Sequence, residues 1–173
     1  MQSVVFESPI NSLSFGNVSL NLLKEFFRRR DSINLSLFPV GQKINLEAYD
    51  KLDLDFKEWI YESYHKRFST ISKDCKTLKL WHLNGSEMRV GSGSQTLYTF
   101  YEASHPTTEE LSLCSLQDKV AFSSSYSKEK FSEAGASNCY YIPPGFDSDF
   151  GPTSKVYLPD KIHFCLMVLI FCH

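Results

Sequence analysis

The sequence lacks the features that most directly identify a chemistry. It contains no HExxH motif, no GxGxxG or P-loop glycine pattern, and no Ser, His and Asp in the order of a known catalytic triad. Its formal net charge of -2 gives no global reason to expect nucleic acid as a partner. Its most apolar stretch, residues 162–172, is too short for a membrane span, which needs about 20 residues. With 42% hydrophobic and 22% charged residues, the chain is instead typical of a folded domain with a core.

Cysteine is scarce and shows no pairing pattern. The 5 cysteines form no CxxC pair and no metal-ligand spacing, so we expect no bound metal. An odd number of cysteines without a signal peptide indicates a reducing compartment. We therefore expect a cytoplasmic protein whose cysteines are mostly small core residues. The triplet Arg28-Arg29-Arg30 indicates a solvated helix end. The alternative is a patch that binds an anion or lipid, which would place the protein peripherally on the inner membrane face.

What is present is a regular alternation of strand and helix patterns. This alternation predicts a Rossmann-like three-layer α/β/α fold with a mostly parallel sheet. We expect Pro39 and Gly41 to end the second strand. Phe56, Trp59 and Phe68 fit one apolar stripe of the second helix, which predicts a core-facing helix rather than an aromatic ligand platform. The predicted strands are residues 4–6, 33–38, 77–81, 97–101, 120–122 and 139–142, and the longer helices are residues 16–30 and 55–71.

Two further helix ends carry capping signals. Thr107 and Glu110 match a capping box that starts a short helix. Ser125 is predicted to cap the next helix, which should stop at Gly135.

Polar and titratable residues gather in the loops that follow the strands. Ligands of parallel sheets bind beyond the carboxyl ends of the strands, so function is expected in residues 102–105 and 143–147. Glu102 and His105 could bind sugar hydroxyls or relay a proton, although their spacing alone favours ordinary surface polarity. His82, with Asn84 and Glu87 beside it, is a secondary candidate.

Two loops invite comparison with phosphate-binding loops. The loop of residues 8–16 precedes a helix whose first amides, near Gly16, Asn17 and Ser19, could bind an anion. It has a single glycine, so a plain helix start is at least as good an explanation. Residues 91–94, Gly-Ser-Gly-Ser, precede a strand rather than follow one, which favours a flexible turn.

Several segments resemble the N-terminal half of GT-B glycosyltransferases of the group 1 type. They are GNVSLNLLKEFFRRR, TFYEASHPTTEEL, VAFSSSYSKEKFSEAGA and YYIPPGFDSDF, which occur in the family's order. The resemblance implies an acceptor-binding Rossmann-like domain in residues 1–150, a linker in 151–160, and a remnant of a second domain's first strand in 161–173. It implies transfer from a nucleotide-sugar donor to a carbohydrate or lipid-linked acceptor, without a metal or a covalently bound cofactor.

The resemblance also implies a set of site residues. Glu102 and His105 would be catalytic, beside the acceptor and the transferred sugar. The other residues implied in the cleft between acceptor and donor are Ser14, Phe15, Gly16, Asn17, His82, Asn84, Gly85, Glu87, Ser125, Pro144 and Gly145.

The sequence departs from the family after residue 164. The Arg/Lys pair and the Glu-x7-Glu motif that grip the donor in such enzymes are absent, and CLMVLIFCH stands in their place. We therefore expect a truncated chain that is inactive alone and that self-associates through its apolar tail. A stand-alone α/β binding module is the alternative. A nucleotide-dependent oxidoreductase is disfavoured, because no GxGxxG opens the first helix and no acidic residue ends the second strand.

Overall fold

A computed structural model describes residues 1–145 of the protein, apart from positions 48, 50, 72, 73 and 92. The predicted linker and second-domain remnant therefore lie outside the described residues. Among the described residues, no helix combines the length and the hydropathy needed to cross a membrane. The elements in chain order are β1 Gln2–Ile10, α1 Ser14–Arg28, β2 Ile33–Ile44, α2 Leu54–His65, α3 Arg67–Thr70, β3 Lys76–Leu80, β4 Gln95–Thr99, α4 Thr108–Ser115, β5 Lys119–Phe122, α5 Ser125–Glu133 and β6 Cys139–Tyr141.

The strands form one six-stranded sheet in the order β2-β1-β3-β4-β5-β6. Every neighbouring pair is parallel, so the predicted Rossmann-like α/β fold is confirmed and its sheet is all-parallel. The chain leaves β1 for β2 on one side and then returns to place β3 on the other side. This reversal makes the boundary between β1 and β3 the switch point of the sheet, where open α/β sheets form a ligand crevice.

Helices cover both faces of the sheet and bury two hydrophobic clusters. The larger cluster joins β1 to β5 with α1 and α2 through residues such as Phe6, Leu23 and Ile60. The smaller cluster joins β4 and β5 with α4 and α5 through Leu97 and Phe131, among others. Burial on both faces explains why the strands are apolar runs rather than strict alternations.

Helix α1 begins at Ser14 rather than at Gly16 as predicted. A Cβ atom at Gly16 would lie 1.9 Å from the carbonyl oxygen of Asn11, so the first turn packs against the end of β1 only because residue 16 is glycine. This close approach extends the helix toward the strand and shortens the predicted loop to residues 11–13.

The prediction that Pro39 and Gly41 end the second strand was wrong. β2 continues to Ile44, which pairs with Ile10 after a register shift in β1. β2 lies at the edge of the sheet. Proline is tolerated in such a strand, because one side of it has no neighbouring strand to receive a backbone hydrogen bond. Gly41 and Gln42 have φ of 78° and 60°, and this left-handed step marks the irregularity within β2.

The predicted helix of residues 55–71 is two helices, α2 and α3, joined at Lys66. Phe56 and Trp59 are buried as expected, whereas Phe68 is 72% exposed. The break lets α3 contact β2, where Phe68 packs edge-on against Phe38 at 5.5 Å and the Thr70 hydroxyl meets Ser36.

Of the two predicted capping signals, one is correct as stated. In α4, Thr107 Oγ1 accepts from the Glu110 N–H at 3.2 Å, and the Thr107 N–H donates to Glu110 Oε2 at 2.8 Å, so the capping box is confirmed. In α5 the cap is Ser124, without a side-chain hydrogen bond, and Ser125 is the first helical residue. Helix α5 therefore begins one residue earlier than predicted. Gly135, with φ of 99°, follows the helix as expected.

Candidate functional site

An aromatic cluster lies at the switch point, where the chain leaves β1 and β3. Phe15, in the first turn of α1, packs edge-on against His82 at 4.6 Å and against Phe100 at 5.4 Å between ring centroids. Trp81 completes the cluster, 5.9 Å from Phe15 and 5.3 Å from His82. His82 is exposed, and Phe15 and Trp81 are half-buried. The cluster, called here the crevice cluster, thus combines apolar ring faces with a titratable group at the ligand-binding edge of the sheet.

The start of α1 forms one wall of this crevice. Its first turn has no acidic residue, and its cap residue, Leu13, supplies no side-chain hydrogen bond to the helix. Ser14 and Asn17 are exposed there. The Asn11 side chain accepts from the Leu13 N–H at 3.0 Å and so fixes the preceding loop.

Tyr49, in the segment after β2, contacts the loop between β1 and α1. Its hydroxyl donates to the Asn11 carbonyl oxygen at 2.8 Å and lies 2.6 Å from Asn17 Oδ1. Burial raises the pKa of Tyr49, so the phenol stays protonated and can donate. Sequence reasoning missed Tyr49, because it lies in an irregular segment without any motif.

A buried polar network fixes the loop that follows β3. Ser86 Oγ donates to the Leu83 carbonyl oxygen at 2.6 Å, and Gln117 Nε2 donates to the Ser86 carbonyl oxygen at 3.1 Å. Gln117 Oε1 accepts in turn from Gln95 Nε2 at 2.6 Å. With Ser86 held inside, the predicted residues Asn84 and Glu87 are exposed on the loop.

Gly85 is the turn residue of the same loop. It has φ of 84°, and a Cβ atom there would lie 3.3 Å from Trp81 Nε1. The loop backbone therefore passes close to the indole, which a larger residue in this conformation would hinder.

Glu102 and His105 share the exposed loop between β4 and α4. His105 Nδ1 lies 3.1 Å from Ser104 Oγ. Within the described part of the chain, Glu102 makes no side-chain hydrogen bond, and neither a hydrogen bond nor an ion pair joins it to His105. Their catalytic role stays a prediction.

Tyr101 anchors this loop, and sequence reasoning did not single it out. Its hydroxyl lies 2.9 Å from the His105 carbonyl oxygen and 2.9 Å from Glu110 Oε2. Burial, together with the Glu110 carboxylate, raises the pKa of Tyr101 to about 12. The phenol therefore remains a hydrogen-bond donor that ties the loop to the capping box of α4.

The remaining predicted residues lie further along the same edge of the sheet. Ser125 is exposed at the start of α5, after β5, and Pro144 and Gly145 are exposed after β6. None of the ring contacts or hydrogen bonds found among the described residues joins them to the crevice cluster. The structure thus brings together Phe15 and His82 from two different predicted loops and leaves the others spread along the edge.

Gly93, in the Gly-Ser-Gly-Ser segment, packs closely against the chain before β3. A Cβ atom at Gly93 would lie 2.0 Å from the Cys75 carbonyl oxygen. This contact lies at the amino ends of β3 and β4, opposite the crevice, which supports the turn that the sequence favoured over a phosphate loop.

Two concave regions of the described surface are lined by residues outside the crevice cluster. One, of about 520 Å³, lies between the end of β2 and α2, and includes Lys43, Lys57 and Tyr61. The other, of about 320 Å³, lies at the amino ends of the strands and includes Ser115 and Asn138. Neither contains a predicted site residue. Among the described residues, no group of three or more His, Cys, Asp and Glu side chains is placed to hold a metal ion.

Comparisons with known proteins do not place the chain in a family. No protein-family model, no curated protein and no solved structure matches it. The α/β assignment therefore rests on the strand order itself, and the glycosyltransferase resemblance stays a prediction.

Proposed function

We propose that this domain binds the acceptor of a glycosyltransferase, with the crevice cluster as the centre of its site. The observation that carries the proposal is the pairing of Phe15 with His82 at the switch point of an all-parallel sheet. Binding sites in such folds lie at this point and combine apolar or aromatic walls with a few polar groups.

The chemistry of the crevice suits a carbohydrate better than an anion. A sugar ring presents apolar C–H faces, which can pack on Phe15 and Trp81, and hydroxyls, which His82 can bind. The next loop carries Glu102 and His105, either of which could take the proton of an attacking acceptor hydroxyl.

The donor side of the reaction needs groups that these loops do not have. Sugar transfer from a nucleotide sugar releases a diphosphate, whose negative charge must be stabilised in the transition state. Residues 11–17, 81–87 and 100–107 contain neither lysine nor arginine. We therefore assign acceptor binding to this domain and donor binding to a second domain, as in the GT-B enzymes that the sequence resembles. Like those enzymes, the full enzyme would need no metal.

The test is a titration of the isotope-labelled protein, followed by the chemical shifts of its backbone amides. The probes are an alkyl glucoside, an alkyl mannoside and, separately, uridine diphosphate. We expect the glycosides to shift the amides of residues 11–17 and 81–87 and to leave those of α4 unchanged. His82→Ala should weaken glycoside binding about tenfold, because it removes one polar contact to the sugar.

The matched control is His65→Ala, since His65 is an exposed histidine in α2, away from the crevice. It should bind like the unmodified protein. If saturating glycoside leaves the crevice amides unchanged in a folded protein, the acceptor assignment is wrong. If only uridine diphosphate shifts them, a stand-alone nucleotide-binding module replaces it.

A further inference from the structure

Two thiol groups lie side by side where α4 meets β6. Cys114 Sγ and Cys139 Sγ are 3.8 Å apart, and neither residue belongs to a disulfide. Cys114 is fully buried, whereas Cys139 is partly exposed. This pair lies at the amino ends of the strands, opposite the crevice cluster, so nothing about it depends on the proposed function.

Asn138 holds the two elements in register. Its Nδ2 donates to the carbonyl oxygens of Cys114 at 2.9 Å and of Gln117 at 2.7 Å. Its Oδ1 lies 3.4 Å from Cys114 Sγ. These bonds hold the end of α4 against the residue that precedes β6, so side-chain rotation is the movement that we expect to bring the sulfur atoms together.

We propose that Cys114 and Cys139 form a redox-active pair, which hydrogen peroxide converts into a disulfide. The Cys139 thiolate attacks one peroxide oxygen, the S–O bond forms, the O–O bond breaks, and hydroxide leaves. Cys139 is thereby oxidised to a sulfenic acid and the peroxide is reduced. The Cys114 sulfur then attacks the Cys139 sulfur, so that the S–S bond forms and the S–O bond breaks. The thiol proton of Cys114 leaves with the hydroxide as water.

The environment of the pair makes Cys139 the attacking thiol. The hydrogen bond from the Cys114 thiol lowers the pKa of Cys139, and the nearby Lys128 charge adds to this against the opposing effect of burial. The same hydrogen bond, with burial, raises the pKa of Cys114. Because the thiolate is the nucleophile, Cys139 reacts first and Cys114 resolves the intermediate.

The geometry permits the second step. The sulfur atoms must approach from 3.8 Å to a bond length of about 2.0 Å, which rotation about χ1 can supply. Cys139 is partly exposed, which gives a small peroxide access to its thiol, and a cleft of about 320 Å³ opens beside its sequence neighbour Asn138.

The experiment uses the full chain carrying C165S and C172S, which leaves Cys75, Cys114 and Cys139. The folded protein is treated with hydrogen peroxide, its remaining thiols are blocked with N-ethylmaleimide after unfolding, and its peptides are mapped by mass spectrometry. We expect a peptide pair joined through Cys114 and Cys139, with a loss of two hydrogen atoms that dithiothreitol reverses. Cys75 is the internal control, because it is 1% exposed and its thiol lies 3.8 Å from the Thr70 carbonyl oxygen. It should react at least about tenfold more slowly than Cys139.

Two variants test the order of the steps. Cys114→Ser keeps a hydrogen-bond donor beside Cys139 but cannot resolve the intermediate, so dimedone should trap a sulfenic acid at Cys139. Cys139→Ser should prevent both the disulfide and any dimedone adduct at Cys114. Folded protein in which Cys114 and Cys139 are alkylated after peroxide as completely as Cys75 would overturn the proposal. The same conclusion follows if Cys139 and Cys75 react at equal rates, a comparison that needs no variant.

Discussion

A carboxylate and an ammonium group share the interior of the sheet between β1 and β3. Glu7 and Lys79 are register partners, and Lys79 Nζ lies 3.1 Å from Glu7 Oε1 and 2.8 Å from the Met88 carbonyl oxygen. Their side chains are 14% and 2% exposed, respectively. Burial raises the pKa of Glu7 and outweighs the lowering effect of Lys79. The attraction between the two charges therefore offsets the free energy that their burial costs, and the pair is not a net source of stability.

The sign of the pH effect follows from that raised pKa. Because the folded state holds the Glu7 proton more tightly than the unfolded state, this group favours folding at low pH, where it is protonated in both states. That contribution is lost as the pH rises through its folded-state pKa. Without Lys79 the carboxylate would lose its buried cation, and the stability lost at high pH would be larger.

We expect Lys79→Met to destabilise the protein by about 3–5 kcal/mol at pH 8, because it leaves an uncompensated buried charge. The loss should be smaller at pH 4.5, where Glu7 can be protonated at lower cost. The measurement is urea unfolding of both proteins at both pH values. The control is the double variant E7Q/K79M, which buries no charge and should recover most of the stability. Equal losses at the two pH values would contradict the assignment of the effect to the Glu7 carboxylate.

At the scale of the element, α4 depends on its N-terminal hydrogen bonds more than on its length. It spans Thr108–Ser115, and Cys114 is its one residue that is fully buried. Its capping box satisfies two amide donors, and Tyr101 contacts the same Glu110 carboxylate. An isolated helix of this length is marginal in water, so the cap and the packing of Cys114 together hold it.

Thr107→Ala should therefore cost about 1 kcal/mol of stability, since it removes the oxygen that accepts from the Glu110 N–H. The neighbouring Thr108→Ala is the matched control, because Thr108 is an exposed threonine inside the helix and not its cap. It should change stability by less than about 0.5 kcal/mol. Thermal unfolding of both variants decides the point, and an equal loss in the two would mean that the capping box contributes nothing specific.

These elements also show what the sequence can predict. The capping box and the apolar strands are local signals: the capping box was confirmed, and all six predicted strands were found, although β1 and β2 are longer than predicted. The continuation of β2 past Pro39 could not be read locally, because it depends on β2 being an edge strand beside β1. The break at Lys66 likewise depends on the contact of α3 with β2.

The candidate site was likewise predicted only in part. The loops after the strands were identified from their polar residues, and Phe15 and His82 do meet at the switch point. The part played by Trp81, Phe100 and Tyr49 arises from strand order and from contacts between distant segments. Sequence spacing carries no signal for such contacts.

At the scale of the whole molecule, the arrangement of charge limits what the described domain can do alone. The crevice loops offer aromatic rings, amides and carboxylates, but residues 11–17, 81–87 and 100–107 supply no cation for a leaving diphosphate. Removing even one preorganised stabilising donor typically costs a factor of about 10² to 10³ in rate, and these three loops supply no cationic donor. We therefore expect the purified 173-residue chain to release no uridine diphosphate from uridine diphosphate glucose above the rate without protein. The measurement is chromatographic detection of the nucleotide after long incubation with an alkyl glycoside acceptor.

The controls are the two histidine variants. Turnover that His82→Ala abolishes and His65→Ala preserves would show that the crevice binds donor as well as acceptor, and would refute the assignment of donor binding to a second domain.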